Sequence, residues 1–244
     1  GNDTIALGAT LREMGYGSHI YAENIDPRLP EGTVHPIREL PPLAAEDVVL
    51  YHLSTGTELN YQFAEYPCRK VVIYHNITPP SFLAPYAPEK ADQCQYGLNG
   101  AKYLADYVDY CLPVSDFNRR DLAAMGYTCP MDVLPILIPF EDYEKEPSRK
   151  ILAKYRGLPG ANILFTGRIV PNKCQEDVLA AFAAYKKYYD PDARLFLVGD
   201  WRGMERYYAR LLAYQKALGV SDVIFTGHIP FDEILAYYRL ADVF

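Results

Sequence analysis

Hydrophobic residues along the chain follow two patterns that alternate with each other. In the first pattern, short continuous apolar runs make up most of the segments 47–51, 70–74, 162–166, 194–198 and 223–225. Such runs are typical of strands that are buried on both faces of a parallel sheet. We therefore predict strands at these positions, and a further short strand at residues 109–114.

In the second pattern, apolar residues recur every three or four positions, which predicts amphipathic helices. The predicted helices cover residues 3–14, 89–108, 116–125, 174–189, 204–218 and 232–240. Strands that alternate with helices in this way form parallel sheets covered by helices on both faces. The sequence therefore predicts an α/β protein.

Two lobes are predicted because the composition changes past the midpoint of the chain. Pro135 and Pro139 interrupt an apolar stretch, and residues 141–147 that follow are strongly acidic. We place the first lobe at residues 1–140 and the second at 141–244. Both lobes are expected to be Rossmann-like and to face a cleft, with the ligand at the C-terminal ends of the strands.

The composition narrows the classes of function. The 244 residues include 31 acidic and 24 basic side chains, for a net charge of −7. This acidic balance argues against nucleic-acid binding, which requires a basic surface. No apolar run approaches the ~20 residues that span a bilayer. The five cysteines show no CxxC spacing, so neither a disulfide framework nor a zinc site is indicated. We expect a cytoplasmic protein.

The segment around Gly167 carries the clearest chemical signal. Gly167 follows a predicted strand, Arg168 is next to it, and Lys173 lies at the start of the next helix. A lysine at a helix N-terminus opposes the helix dipole, at a cost of up to about 1 kcal/mol. In one interpretation, Glu176 and Asp177 offset this cost. In the other, Arg168, Lys173 and free helix N–H groups bind a phosphate. The residues alone leave both interpretations open.

Two predicted strands each end in a histidine, His52 and His75. Either side chain could be a strand-end histidine with a structural role only. We interpret His52 in this way, and the role of His75 is taken from the family resemblance below.

Several short motifs in a fixed order resemble one enzyme family. The motifs of the second half are Gly167-Arg168 with Lys173, then residues 197–200, 225–230, 233–238 and 241–244. Those of the first half are residues 51–56, 74–80 and 114–122. Their order and spacing resemble the retaining glycosyltransferases of family 4, also called group 1 glycosyltransferases, which have the GT-B fold. The resemblance covers nearly the whole chain.

The resemblance implies an enzyme that moves a sugar from a nucleotide diphosphate sugar to an acceptor hydroxyl with retention of configuration. The catalytic residues that it implies are His75, Arg168 and Lys173, and Arg168 and Lys173 would hold the diphosphate and stabilise the leaving group. It also implies donor-binding residues, namely Gly1, Asn2, Gly167, Arg168, Lys173, Gly227, His228 and Ile229. Ser54 and Asn76 would lie on the acceptor side.

The partners follow from the same resemblance. The donor would be UDP- or GDP-linked and serve as a co-substrate, with no cofactor and no metal. The acceptor would be a glycan, a lipid-linked molecule or a small molecule, and peripheral membrane association is compatible with it. No nucleic acid is expected as a partner.

Both ends of the chain fall within predicted elements. Gly1 directly precedes a helix, and Phe244 lies in an apolar run typical of a strand. We therefore expect both ends to be truncated. The paired glutamates of the family, which contact the donor sugar and the ribose, would follow Phe244.

Two other classes of function remain open. The same two-lobed architecture serves nucleotide-sugar epimerases and phosphorylases. A chain without the glutamate pair is also compatible with a non-catalytic module that binds a nucleotide or a glycan.

Overall fold

The computed structural model describes residues 2–244. The helices of this part are α1 (Asn2–Glu13), α2 (Leu59–Gln62), α3 (Pro80–Leu83), α4 (Pro88–Tyr103), α5 (Asp116–Met125), α6 (Arg149–Tyr155), α7 (Gln175–Tyr188), α8 (Glu205–Leu218) and α9 (Phe231–Leu240). The strands are β1 (Tyr21–Ala22), β2 (His35–Pro36), β3 (Val48–Leu53), β4 (Arg69–Tyr74), β5 (Tyr110–Pro113), β6 (Asn162–Thr166), β7 (Arg194–Val198) and β8 (Val223–Gly227). Every strand pairing between these elements is parallel, which confirms the predicted α/β class.

The chain divides into two compact units. The first contains the residues up to Thr78 together with Asp92–Pro139, and the second contains Pro79–Ala91 together with Phe140–Phe244. The segment Pro79–Ala91 is tied to the second unit by side chains. The ring of Tyr86 packs edge-on against that of Tyr207, with centroids 5.1 Å apart, and Lys90 Nζ donates to the carbonyl of Gly203 at 3.0 Å.

The first unit is built on a sheet of the order β3-β4-β5. Its core contains Leu53, Val72 and Tyr74, all fully buried, from adjacent strands. In the register of β3 and β4, His52 lies opposite Ile73. The pairing continues past the end of β4, because the N–H of His75 donates to the carbonyl of Leu53 at 3.0 Å.

Helix α5 begins and ends at the residues that the sequence predicts. Ser115 is the N-cap, and its hydroxyl accepts a hydrogen bond from the N–H of Asn118 at 3.2 Å. Gly126 ends the helix in the left-handed conformation, with φ 104°, which a residue with a side chain rarely adopts. Local capping chemistry therefore defines this helix.

The second unit is built on a sheet of the order β6-β7-β8. The central strand β7 is buried along its whole length, as the continuous apolar run predicts. The rings of Tyr155, Phe196 and Tyr237 pack against each other on one side of this sheet, and Phe196 is fully buried among them. Val243 extends the sheet beside β6, where its carbonyl accepts from the N–H of Leu164 at 2.8 Å.

Three short helices have no counterpart in the sequence prediction. They are α2, α3 and α6, with four, four and seven residues, too short for an apolar repeat to stand out. The predicted helix at 89–108 is also too long at its C-terminal end, because α4 stops at Tyr103 and a 3-10 turn follows at Leu104–Asp106. Within residues 2–244, no helix combines the length and the apolar character needed to cross a membrane.

Candidate functional site

Three glycines line the C-terminal edge of the sheet in the second unit. Gly167 and Gly199 directly follow β6 and β7, and Gly227 is the last residue of β8. The N–H of Gly167 donates to the carbonyl of Val198 at 3.0 Å, and Gly199 pairs with Gly227 in an isolated bridge. Because none of the three carries a side chain, a ligand can approach the backbone closely along this edge.

Two cations flank these glycines. Arg168 and Lys173 are both exposed, and across residues 2–244 neither forms an ion pair with a carboxylate. The guanidinium of Arg168 donates to the carbonyl of Arg202 at 3.3 Å, and the backbone carbonyl of Arg168 accepts from Gln175 Nε2 at 3.0 Å. Arg168 is therefore held by backbone contacts and forms no ion pair, although its charge contributes to the lowered pKa of Asp200.

The start of α7 lies next to Lys173. Cys174 precedes the helix in the left-handed conformation, with φ 51°, and its side chain makes no capping hydrogen bond. The first N–H groups of such a helix lack intrahelical partners. Glu176 accepts a hydrogen bond from the hydroxyl of Tyr207 and lies 3.6 Å from Arg210. The carboxylate of Glu176 is thus engaged away from Lys173.

The third strand end carries the loop Gly227, His228 and Ile229. Gly227 has φ 71°, His228 is exposed, and Ile229 packs against the core of the second unit. The indole of Trp201 lies beside Gly227, so close that a Cβ there would be 3.2 Å from the ring. Trp201 is itself stacked on Tyr208, with centroids 4.2 Å apart and planes at 9°. Trp201, held by its stacking on Tyr208, therefore provides an aromatic surface along one side of this loop.

A second cluster lies at the strand ends of the first unit. Nδ1 of His52 is 2.8 Å from Nε2 of His75, a hydrogen-bonding distance. Both side chains lie on one face of the sheet, because His52 is opposite Ile73 and His75 is two residues beyond Ile73. Asp3, in the first turn of α1, places Oδ2 3.6 Å from Nε2 of His75 and 3.9 Å from Nδ1 of His52.

Burial controls the charge of the two imidazoles. The pKa of His52 is lowered to about 4, mainly by desolvation and also by the positive charge that His75 can carry, whereas Asp3 acts in the opposite direction. Desolvation also lowers the pKa of His75, against the effect of Asp3. Both rings are therefore neutral near pH 7.

The remaining predicted residues are dispersed. Asn76 has an unusual φ of 74° and accepts from the hydroxyl of Tyr74 at 3.4 Å, while its side chain is exposed. Ser54 is exposed after β3, and Asn2 is exposed at the start of α1. Gly1 lies outside the described residues. The roles of these four residues stay predictions.

Asp3, His52 and His75 also form the one group within residues 2–244 whose geometry suits a metal ion. Their three ligand atoms lie within 4.8 Å of one another. Imidazole nitrogens and a carboxylate are suitable ligands for zinc and similar ions. Whether a metal ion or a proton lies between the two imidazole nitrogens depends on the orientation of the two rings.

Sequence reasoning assigns no functional role to three members of these clusters. The sequence favours a structural role for His52, and the structure places its side chain in direct contact with His75. Asp3 and Trp201 were not singled out. A signal for His52 is present in the sequence, because a Tyr-His pair occurs at the C-terminal end of each of two adjacent strands, and the register brings both histidines to one face.

Comparison with known proteins finds a family match for the second half of the chain. Residues 149–244 match the family model described as glycosyl transferases group 1. A GDP-mannose-dependent alpha-(1-6)-phosphatidylinositol monomannoside mannosyltransferase from Mycobacterium tuberculosis is 30% identical over 145 residues, which cover 58% of this chain and 36% of that protein. The chain thus matches about a third of the length of this curated relative.

Solved structures share the fold. Sucrose-phosphate synthase from Thermosynechococcus elongatus aligns over 97% of this chain and 67% of its own, with a TM-score of 0.68 and 16% identity. HepE from Anabaena, solved in complex with UDP and glucose, aligns over 76% of this chain and 53% of its own, with a TM-score of 0.53 and 20% identity. These neighbours have the GT-B fold, which confirms the predicted fold class. Residues 149–244 thus match the model of the group 1 glycosyltransferases, the family that the sequence motifs resemble.

Proposed function

We propose that the protein transfers a hexose from a nucleotide diphosphate sugar to an acceptor hydroxyl, with retention of configuration. The observation that carries this proposal is the pair Arg168 and Lys173, two exposed cations without carboxylate partners at a glycine-lined strand edge. The pair lies within the segment that matches the group 1 glycosyltransferases. In this proposal, the second unit binds the donor and the first binds the acceptor.

The two cations are proposed to hold the donor diphosphate. A guanidinium can bind two phosphate oxygens at once, and an ammonium adds a compact positive charge. The free N–H groups at the start of α7 favour an anion at the same place. As the bond to the sugar breaks, negative charge grows on the diphosphate, and fixed cations stabilise that transition state without a metal.

We propose separate contacts for the nucleobase and the sugar, which are the two ends of the donor molecule. The loop Gly227, His228 and Ile229 would hold the base through backbone groups, because only His228 of the three exposes a long side chain. Gly167 would allow the diphosphate to approach the backbone, and His75 would contact the donor sugar. Ser54 and Asn76 are proposed to lie toward the acceptor, and Gly1 and Asn2 toward the donor phosphates.

The donor and the acceptor are proposed by class. The mannosyltransferase relative is described as GDP-mannose-dependent, and the HepE structure contains UDP and glucose. We therefore propose a GDP- or UDP-linked hexose as donor. The acceptor is proposed to be a glycan, a lipid-linked molecule or a small molecule, and a lipid-linked acceptor would require contact with a membrane surface.

A transfer assay with single-site variants tests this proposal. Arg168→Ala and Lys173→Ala are each expected to lower transfer at least about 100-fold, the loss seen when one stabilising group of a transition state is removed. Arg206→Ala is the matched control, because Arg206 is an exposed cation on α8 without an ion pair among residues 2–244. Circular dichroism confirms that each variant folds, and proton NMR of the product reads the anomeric configuration.

Two results would contradict the proposal. Full transfer activity in Arg168→Ala or Lys173→Ala would show that the diphosphate is bound elsewhere. Isomerised sugar from donor alone, in the absence of any acceptor, would favour an epimerase. A GDP- and UDP-sugar panel read by thermal shift identifies the donor first, because a ligand that binds the folded state raises the unfolding temperature.

A further inference from the structure

We propose that His52 is a positioning residue that, together with Asp3, fixes the ring and the proton of His75. The inference rests on the proposed contact between His75 and the donor sugar. It assigns a role to His52 and Asp3, whose side chains lie next to that of His75. Its basis is the geometry of the three side chains, all of which belong to the first unit.

The two imidazole rings lie edge to edge. Their planes differ by 16°, their centroids are 5.1 Å apart, and the nitrogens that face each other are 2.8 Å apart. The centroid separation is close to the nitrogen separation plus one ring radius on each side. This is possible only when the two nitrogens and the two centroids lie nearly on one line.

This linear arrangement is typical of a strong hydrogen bond, here between Nδ1 of His52 and Nε2 of His75. The N–H of one ring points along this line at the lone pair of the other, so one proton occupies the space between the two nitrogens. When that proton is present, Nε2 of His75 is engaged. Nδ1 of His75 has no hydrogen-bond partner within residues 2–244, and it is the nitrogen left for a ligand.

The carboxylate of Asp3 lies next to both imidazole rings. Its Oδ1 accepts a hydrogen bond from the N–H of Leu137 at 2.8 Å, which fixes the carboxylate. Its Oδ2 is closer to Nε2 of His75, at 3.6 Å, than to Nδ1 of His52, at 3.9 Å. A carboxylate stabilises positive charge on the nearer nitrogen. Asp3 therefore favours the proton on the side of His75.

The same geometry argues against a shared metal ion. Zinc binds an imidazole nitrogen at about 2.0–2.1 Å, along the lone pair of the ring. An ion at that distance from both nitrogens, which are 2.8 Å apart, would lie well off the line between them. Both rings would have to turn out of their edge-to-edge arrangement before they could bind it.

Three substitutions of His52 separate positioning from mere packing. The amide of Asn reaches the position of Nδ1, whereas the amide of Gln reaches that of Nε2. His52→Asn is therefore expected to keep most of kcat, while His52→Gln and His52→Ala lower kcat about 10- to 100-fold, the range for partners that orient a functional imidazole. The donor KM is expected to stay nearly constant, because the contact of His75 acts in the transition state.

A second measurement does not depend on activity. The chain has five histidines, so 15N-labelled histidine gives a simple NMR spectrum. In the natural protein, His75 is expected to show one fixed tautomer with a proton shared with His52. In His52→Ala, the signals of His75 are expected to become those of a ring averaging between tautomers, and His52→Asn is expected to keep the fixed tautomer.

Each negative result would have a different interpretation. Absence of transfer with every donor would contradict the proposed function, while the NMR spectra would still test the pair. Equal kcat in the Asn, Gln and Ala variants, or an averaged His75 ring in the natural protein, would overturn the inference and leave the proposed function standing. Binding of one equivalent of Zn²⁺ that shifts both histidines and is lost in His75→Ala would replace the shared proton with a metal site.

Discussion

The α-carbon of Gly199 packs directly against the carbonyl group of Gly167. A Cβ at position 199 would overlap that carbonyl and lie 3.3 Å from the backbone nitrogen of Arg168. The ends of β6 and β7 are therefore in backbone contact, and the position of Arg168 depends on the absence of a side chain at Gly199.

Substitution of Gly199 is expected to damage both stability and donor binding. Gly199→Ala forces the turn at Gly167 to move, at a cost of about 1–3 kcal/mol in the free energy of unfolding. Displacement of Arg168 would also weaken the binding of the donor. Urea unfolding and a donor titration by thermal shift measure the two effects.

The control for this prediction is Gly17→Ala. Nothing lies within 4 Å of a Cβ at Gly17, so its stability is expected to change by no more than about 0.5 kcal/mol. If Gly199→Ala proved as stable as this control, the backbone contact between the two strand ends would not be as close as the structure has it.

The N-cap of α5 gives a prediction about stability alone. Ser115→Ala removes the acceptor of the hydrogen bond from the N–H of Asn118 and is expected to cost about 1 kcal/mol. Ser115→Thr keeps the hydroxyl and is expected to stay close to the natural protein. The midpoint of urea unfolding measures both variants, and an unchanged midpoint in Ser115→Ala would contradict the assigned cap.

The buried histidines predict how stability depends on pH. Desolvation lowers the pKa of His52 from 6.5 to about 4 and lowers that of His75 in the same direction. Between about pH 4 and 6.5 the unfolded chain therefore binds more protons than the folded protein, so the free energy of unfolding rises with pH. The contribution of His52 is complete above pH 6.5, and about 1–3 kcal/mol is lost as the pH falls to 4.

The variant His52→Asn isolates this effect from that of the carboxylates. It removes one titrating group but keeps an amide next to His75. Urea unfolding between pH 4 and 7 is expected to show a smaller slope in the variant than in the natural protein. Equal slopes would indicate that His52 titrates normally in the folded state.

The protein contains one tryptophan, which provides an internal probe. Trp201 lies beside Gly227 in the loop that is proposed to bind the nucleobase. GDP or UDP is therefore expected to reduce the emission of Trp201 along a saturable curve. Arg168→Ala is expected to shift that curve to higher nucleotide concentration. An emission that does not change while thermal shift reports binding would place the base away from Trp201.

Elements with strong local signals could be predicted from the sequence. The bounds of β6, β7 and α5 agree with the prediction. Two of these are strands with unbroken apolar runs, and the third is a helix with a serine cap at one end and a glycine at the other. In such segments, the local chemistry and the tertiary packing favour the same structure.

Contacts between distant segments could not be predicted in the same way. The pair His52 and His75 depends on the register of two strands, which the sequence does not specify by itself. The hydrogen bond between Asp3 and Leu137 joins residues 134 positions apart. The sequence therefore predicts which strand ends carry candidate residues, but it does not predict the contacts that orient their side chains.

The placement of Pro79–Ala91 has a consequence for the order of synthesis. This segment belongs to the second unit, yet it is translated before Phe140–Phe244, which forms the rest of that unit. Tyr86 and Lys90 therefore leave the ribosome more than a hundred residues ahead of their partners Tyr207 and Gly203. Domains that are contiguous in sequence can fold one after the other as they emerge. Here the second unit begins before the first is complete, so Tyr86 and Lys90 stay without these two partners until residues 203–207 have been synthesised.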